Sequence, residues 1–251
     1  MTPAAVSEIL RQDEISSGDL YPEGIASVRY FESNTLASNR PIEDSHSEAI
    51  LHPSQPNASP GMLFGVYDGH GGASCGIVTA NRLQHYVATG LMSKEDVSGH
   101  LDRLRKAGRF IIGTYCRFEI HPSIFSEDDV EATQKEMHSV LTTFNDEWEM
   151  VHDLKKAHQK SYVEYVAKML RARVEEEEQE KSSSVAEKIT AAFLALDEDM
   201  SKEGIDYAGD DEVGLMTSTV ALSGAVAVVA HVEGPHLHIA SCGDCVAVLG
   251  I

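Results

Sequence analysis

GMLFGVYDGHGG, residues Gly61 to Gly72, joins a short apolar run to an abrupt glycine-rich end. Met62 to Tyr67 is almost continuously apolar and lies between two turn signals, so at this length it predicts a buried strand rather than a helix. The run stops at Asp68, and Gly69, Gly71 and Gly72 permit a tight turn. A carboxylate in that place is fixed by the strand while its oxygens face a cleft at the sheet edge. Gly69 lets its own carbonyl approach a ligand that a side chain would hinder. Upstream, Glu43 and Asp44 lie between a turn and a short predicted strand, Ser47 to Leu51. Carboxylates, a carbonyl and waters make an all-oxygen shell, which suits Mg²⁺ or Mn²⁺ rather than zinc. Asp-Gly is also one of the commonest turn dipeptides, so these residues alone leave both readings open.

Working outward, Tyr30 to Ser45 is polar and turn-rich, and His52 to Gly61 carries three prolines and reads as a loop. Ala73, Ile77, Ala80, Leu83 and Val87 fall on one face of a helix, with Gly90 as its expected stop. Ser93 to Lys181 is polar and charged and predicts helix in pieces. Its end, Arg173 to Lys181, has no apolar face and reads as a solvated helix end or a mobile loop. Ser184 and Glu187 form a capping-box pattern ahead of a stripe of Ala186, Ile189, Phe193, Leu196 and Met200, which reads as core. Ser201 to Met216 reads as a Gly- and Asp-containing loop. Ala225 to Val232, His236 to Ser241 and Cys245 to Leu249 then predict three short strands of an antiparallel meander, with turns at Glu233-Gly234-Pro235 and Gly243-Asp244. This order predicts an α+β layered fold.

Composition narrows the classes of function. Forty acidic residues against 20 basic ones give a formal charge of −20, which repels phosphate backbones and anionic membranes and argues against nucleic acid as a partner. No stretch has the length of apolar sequence needed to cross a bilayer. Met1 to Leu20 lacks a basic region followed by an apolar core, and its Glu8, Asp13, Glu14 and Asp19 do not fit an acid-poor transit peptide. Four cysteines do not make a secreted disulfide framework, so a reducing compartment is expected.

Asn39-Arg40-Pro41-Ile42-Glu43-Asp44, then GMLFGVYDGHGG, then HLHIASCGDCVAVLG from His236 to Gly250, resembles the PP2C family of metal-dependent protein phosphatases in motif order and spacing. Three ordered motifs are far more specific than any one of them. YFESNTLASNRPIED and LSGAVAVVAHVEGPHLHIASCGD narrow the resemblance to members that act on the pyruvate dehydrogenase complex. It covers most of Thr2 to Val87 and Ala186 to Ile251 and is weak from Ser93 to Lys181. The resemblance implies an α/β/β/α sandwich of antiparallel sheets flanked by helices. Residues 1–251 would be the N-terminal part of one such domain, with a polar, acidic, partly helical insertion around 93–183.

It also implies two or more Mg²⁺ or Mn²⁺ ions and hydrolysis of phosphoserine or phosphothreonine by a metal-activated water. By motif match, Asp68 would bridge two metals, the Gly69 carbonyl would ligate one, and Glu43 would serve the other side. Asp44 would hold a water, and Asp244 would belong to a further, weaker metal site. His70 would be the general acid for the leaving oxygen, a task suited to an imidazole near neutral pH, against the plainer reading of a turn histidine. Arg40 stands near the family's phosphate-binding arginine, one residue short in its spacing to Asp44. The implied partners are a phosphorylated protein, the pyruvate dehydrogenase complex, and a regulatory subunit, in the mitochondrial matrix.

The departures shape a second reading. Gly243-Asp244-Cys245-Val246 stands where many members have Gly-Asp-Ser-Arg, and the later Asp-Gly and Asp-Asn motifs have no counterpart. The domain is therefore expected to be incomplete at its C-terminal side, and residues 1–251 alone are expected to bind metal weakly and turn over little. The alternative function is a non-catalytic pseudophosphatase or interaction protein. Cys242-Gly243-Asp244-Cys245 has C-x-x-C spacing, but no helix pattern follows to lower a thiol pKa, and two ligands are half of a structural zinc site.

Overall fold

The computed structural model describes residues 2–11, 14–17, 28, 30–38, 42–51, 61–107, 152–209 and 211–250. Asn39, Arg40, Pro41, residues 52–60, for which the sequence predicts a loop, Cys116 and the middle of the polar insertion lie outside the described residues. In chain order the elements are α1 (Pro3–Leu10), β1 (Ile15–Ser17), β2 (Phe31–Ser33), β3 (Ser45–Leu51), β4 (Gly61–His70), α2 (Ser74–Leu91), α3 (Lys94–Ala107), α4 (His152–Glu178), α5 (Val185–Asp206), α6 (Glu212–Leu222), β5 (Gly224–Glu233) and β6 (His236–Cys242). The fold is α+β. β3-β4-β5-β6 form one antiparallel sheet, and β1 and β2 form a separate antiparallel pair.

The predicted strand of the GMLFGVYDGHGG motif is β4, and it is central, pairing with β3 on one side and β5 on the other. Its side chains alternate as a pleated strand requires. Leu63 and Tyr67 are wholly buried under the helices, while Val66, Asp68 and His70 face the other way and are exposed. α2 crosses β3 and β4 and packs against α5, which reaches β6. The core joins Leu83, Tyr86 and Val87 of α2 to Ile189, Ala192 and Leu196 of α5, with Val97 and Leu101 of α3 and Tyr162 and Val166 of α4. Each leucine, isoleucine or valine among them contributes about 1.5–3 kcal/mol on leaving water. The polar insertion thus supplies two helices to the same core as its neighbours.

Several expectations hold in detail. Ser184 Oγ accepts from the Glu187 amide at 3.2 Å and Glu187 Oε2 accepts from the Ser184 amide at 2.7 Å, a complete capping box. In the stripe, Ile189 and Leu196 are buried, Phe193 and Met200 are partly buried, and Ala186 is exposed. On α2, Ala80, Leu83 and Val87 are buried but Ile77 is 38% exposed.

Others are corrected. Gly90 does not stop α2, which runs to Leu91 with Met92 as its C-cap. Gly90 instead permits close packing, since a Cβ there would lie 3.3 Å from the Lys188 carbonyl oxygen and the Tyr165 hydroxyl. Arg173 is no solvated residue. It is buried and donates to the Gly90 carbonyl, to the Met92 carbonyl at 3.2 Å and to Glu176 at 2.7 Å, closing the C-terminal end of α2. Ser201 to Met216 is mostly helix. α5 continues to Asp206 because Glu203 is drawn into the interior. α6 begins early because Asp211 Oδ1 caps it through the Gly214 amide at 2.8 Å. Cys245 to Leu249 is not a strand. Val246, Val248 and Leu249 are 74–88% exposed, and apolar content without a ladder partner leaves the backbone irregular.

The helices are tied by polar contacts that no periodicity announces. Arg82 of α2, 6% exposed, donates two bonds of 2.8 Å to Glu203 of α5, 4% exposed. Arg82 also reaches Tyr86 Oη at 3.3 Å, and Tyr86 donates to Asp199 at 2.6 Å. Tyr165 of α4 stacks on Tyr86 at 4.4 Å and donates to its carbonyl at 2.8 Å. His158 of α4 lies 3.3 Å from the Glu203 carboxylate, which Arg82 already neutralises. Burial, and then the Arg82 charge, therefore hold His158 well below the ordinary imidazole range, so it is neutral.

Two outcomes are expected. Glu203→Ala leaves the Arg82 charge buried and unpaired and should cost about 3–5 kcal/mol in urea unfolding, with no comparable loss for the exposed Glu198→Ala. The folded chain refuses a proton at His158 that the unfolded chain accepts below pH 6.5, so stability should fall as pH drops below that value, at up to about 1.4 kcal/mol per pH unit from this group. His158→Gln should flatten the slope between pH 6.5 and 5, and a slope unchanged in that variant would refute the assignment.

Candidate active site

The end of β4 gathers residues that are far apart in sequence. Gly69 lies on the helix-facing side of the strand, and a Cβ there would strike the Glu43 carbonyl oxygen. A Cβ on Gly76, in the first turn of α2, would come within 2.9 Å of the same oxygen. The Glu43 backbone is therefore wedged between the strand end and the helix start, a place that only glycine neighbours leave open. Glu43 Oε1 accepts a 2.7 Å bond from the Gly72 amide, just ahead of α2, where the helix dipole favours a carboxylate. Gly71 and Gly72 take φ of 71° and 117°, which the turn from strand to helix requires.

Asp68 and His70 share the other face of β4 and are exposed. His70 stands opposite Gly224 of β5, where a Cβ would strike the imidazole ring. Ser223, the C-cap of α6, accepts from the Cys75 amide at 3.1 Å and so ties α6 to the first turn of α2 beside the site. Gly243, at φ 88°, packs its Cα against Val226, the register partner of Asp68, and brings the Asp244-Cys245 turn to the site.

Electrostatics shows the same gathering. Asp44 is held above the usual carboxylate range by partial burial and then by the charges of Asp68 and Glu43. The Cys245 thiol is pushed up by burial and by the Asp68, Asp244 and Asp44 carboxylates, against a backbone hydrogen bond from Asp68 that pulls it down. Glu43, Asp44, Asp68, Gly69, His70 and Asp244 thus meet at one end of the sheet, while Arg40 lies outside the described residues. Sequence reasoning missed Gly76, Ser223 and Gly224, whose importance lies in contacts between distant segments, and it weighed Cys245 as half of a C-x-x-C pair without seeing that Asp44, Asp68 and Asp244 act on it. Cys242 and Cys245 are both free thiols.

These residues fit a hard divalent cation in donor chemistry. The set is carboxylate and carbonyl oxygen, and Asp44 is raised by partial burial and then by the charges of Asp68 and Glu43, a repulsion that a cation would relieve. Among the described residues, no three His, Cys, Asp or Glu side chains stand as a finished ligand group.

The α+β fold and the gathering of distant carboxylates at one sheet end are joined by the result of comparison with known proteins. The family model described as "Protein phosphatase 2C" matches residues 126–251, half of the chain. The chain belongs to that family. Over its whole length it is 32% identical to the human "[Pyruvate dehydrogenase [acetyl-transferring]]-phosphatase 2, mitochondrial". It is 30% identical to the bovine and 29% identical to the mouse "[Pyruvate dehydrogenase [acetyl-transferring]]-phosphatase 1, mitochondrial". In each case it spans 41% of that relative's length.

Gly69→Ala should displace the Glu43 segment and cost about 1–3 kcal/mol by overpacking, read by thermal unfolding without added metal. A Gly69→Ala protein as stable as wild type would mean that the wedge carries no packing constraint.

Proposed function

We propose that the protein is a metal-dependent phosphatase that hydrolyses phosphoserine or phosphothreonine on a protein. Its substrate is the pyruvate dehydrogenase complex, and its compartment is the mitochondrial matrix. The observation that carries the chemistry is the meeting of Glu43-Asp44, Asp68-Gly69-His70 and Asp244 at one end of the sheet. The substrate and compartment rest on what the relatives' names say of those proteins. Among the described residues no helix is long and apolar enough to cross a membrane.

In this reading Asp68, the Gly69 carbonyl, Glu43, Asp44 and Asp244 hold Mg²⁺ or Mn²⁺. The bound ions supply Lewis-acid neutralisation of the phosphoryl oxygens and a water acidic enough to act as nucleophile near neutral pH. Asp68 is presented by a strand paired on both sides, so its carboxylate is placed in advance. Glu43 is oriented by the Gly72 amide. Asp44, which shares negative charge with Asp68 and Glu43, is suited to hold a proton or a water at its oxygens. His70, exposed on the face that carries Asp68, protonates the departing serine oxygen. Arg40 meets the phosphoryl group. A regulatory subunit is part of the same proposal.

The test is phosphate release from a phosphoserine peptide by the full-length protein, with Mn²⁺ or Mg²⁺ and with chelator, alongside Mn²⁺ binding followed by electron paramagnetic resonance. Metal-dependent release is expected, abolished by Asp68→Asn together with Mn²⁺ binding, and reduced about 10²–10⁴-fold by His70→Ala with Mn²⁺ binding retained. Release that persists in chelator, or that Asp68→Asn leaves intact, would overturn the proposal.

A further inference from the structure

The far end of the same sheet carries a second set of donors with different chemistry. His231 and Glu233 of β5 lie directly opposite His238 and His236 of β6. By strand alternation all four project on the helix-facing side of the hairpin. The imidazoles form a row, with ring centres 5.9 Å apart for His231 and His238 and 6.4 Å apart for His238 and His236, and with near-parallel planes. Gly234, at φ +54°, makes the tight turn that fixes this register.

His231 is the anomaly. It is 2% exposed between Ala230 and Val232, and its Nδ1 is buried without a hydrogen-bond partner. Its Nε2 lies against the backbone at Gly61, where an added Cβ would come within 3.1 Å. A buried, unpartnered imidazole nitrogen costs free energy unless something meets it.

We propose that this end of the β5–β6 hairpin binds a borderline divalent transition-metal ion of the zinc type, through His231, His238 and His236, with Glu233 as the oxygen donor. Imidazole is the ligand that Zn²⁺, Cu²⁺ and Ni²⁺ favour over Mg²⁺ and Mn²⁺. With Zn–N bonds of 2.0–2.1 Å and tetrahedral angles, two ligating imidazoles have centres roughly 5–6 Å apart, a range that includes the 5.9 Å of His231 and His238 and falls short of the 6.4 Å of His238 and His236. The rings do not converge as they stand. Convergence needs rotation of His238, which is partly exposed, and of His236, which is exposed, toward the fixed His231. Val226, the partner of Asp68, lies five residues along β5 from His231, or about 17 Å at strand rise. No donor is therefore shared with the oxygen-rich end of the sheet.

Cobalt tests this directly. Co²⁺ titrated into the protein in excess Mg²⁺ should give a visible absorption band that saturates at one equivalent and is displaced by Zn²⁺. His236→Ala and His238→Ala should each lose the band while keeping the wild-type circular dichroism spectrum, and Cys242→Ser should keep the band. His236 is exposed, so its variant is expected to fold even if a change at the buried His231 does not. No saturable band, a band that survives both histidine substitutions, or one that Cys242→Ser removes would overturn the proposal.

Discussion

The two-residue period of β4 is the constraint on which the rest of this structure depends. Leu63 and Tyr67 must enter the core, and once they do, Asp68 and His70 are committed to the opposite face. A slip of one residue against β3 or β5 would bury the carboxylate and expose the tyrosine, so the apolar pattern and the placement of the site are one decision. Pairing on both sides removes the freedom that an edge strand would have. The glycines then serve close approach. Gly69 lets the Glu43 backbone lie against the strand end, and Gly224 leaves room for the His70 ring.

The helical layer holds that arrangement by more than apolar contact. α2 starts at the site and ends beneath Arg173 of α4, and its middle is fastened to α5 through Arg82 and Glu203. A buried ion pair of this kind adds little net stability over an apolar pair, but breaking it leaves a buried charge without its partner. Ser223 extends the fastening to α6, so the first turn of α2, the Glu43 segment and the entry into β5 are set by shared contacts.

The sheet separates two kinds of donor along its length. Oxygen donors gather where β4 ends, beside the start of α2, and imidazoles gather at the turn of the β5–β6 hairpin. Hard cations and borderline cations differ in the ligands they favour, so an antiparallel sheet can present both chemistries without competition between them. At the oxygen end partial burial, and then the Asp68 and Glu43 charges, raise the proton affinity of Asp44.

Much of this was legible in the sequence because local physics decided it. An apolar run between turn signals became β4, a Ser-x-x-Glu pattern became a complete cap, and Glu-Gly-Pro became the hairpin turn. The candidate residues Glu43, Asp44, Asp68, His70 and Asp244 came from the resemblance in motif order, and the structure brings them to one end of the sheet. What only the tertiary structure decided was whatever depends on a distant neighbour. Arg173 looked solvated until the end of α2 supplied its acceptors, and Ser201 to Asp206 looked like loop until Arg82 drew Glu203 inward. Cys245 to Leu249 had the composition of a strand but no ladder to join. Periodicity reports which face of a segment avoids water, and it is silent on which distant partner meets that face. The sequence therefore determined the elements and the residues at their ends, and packing determined which of those ends meet.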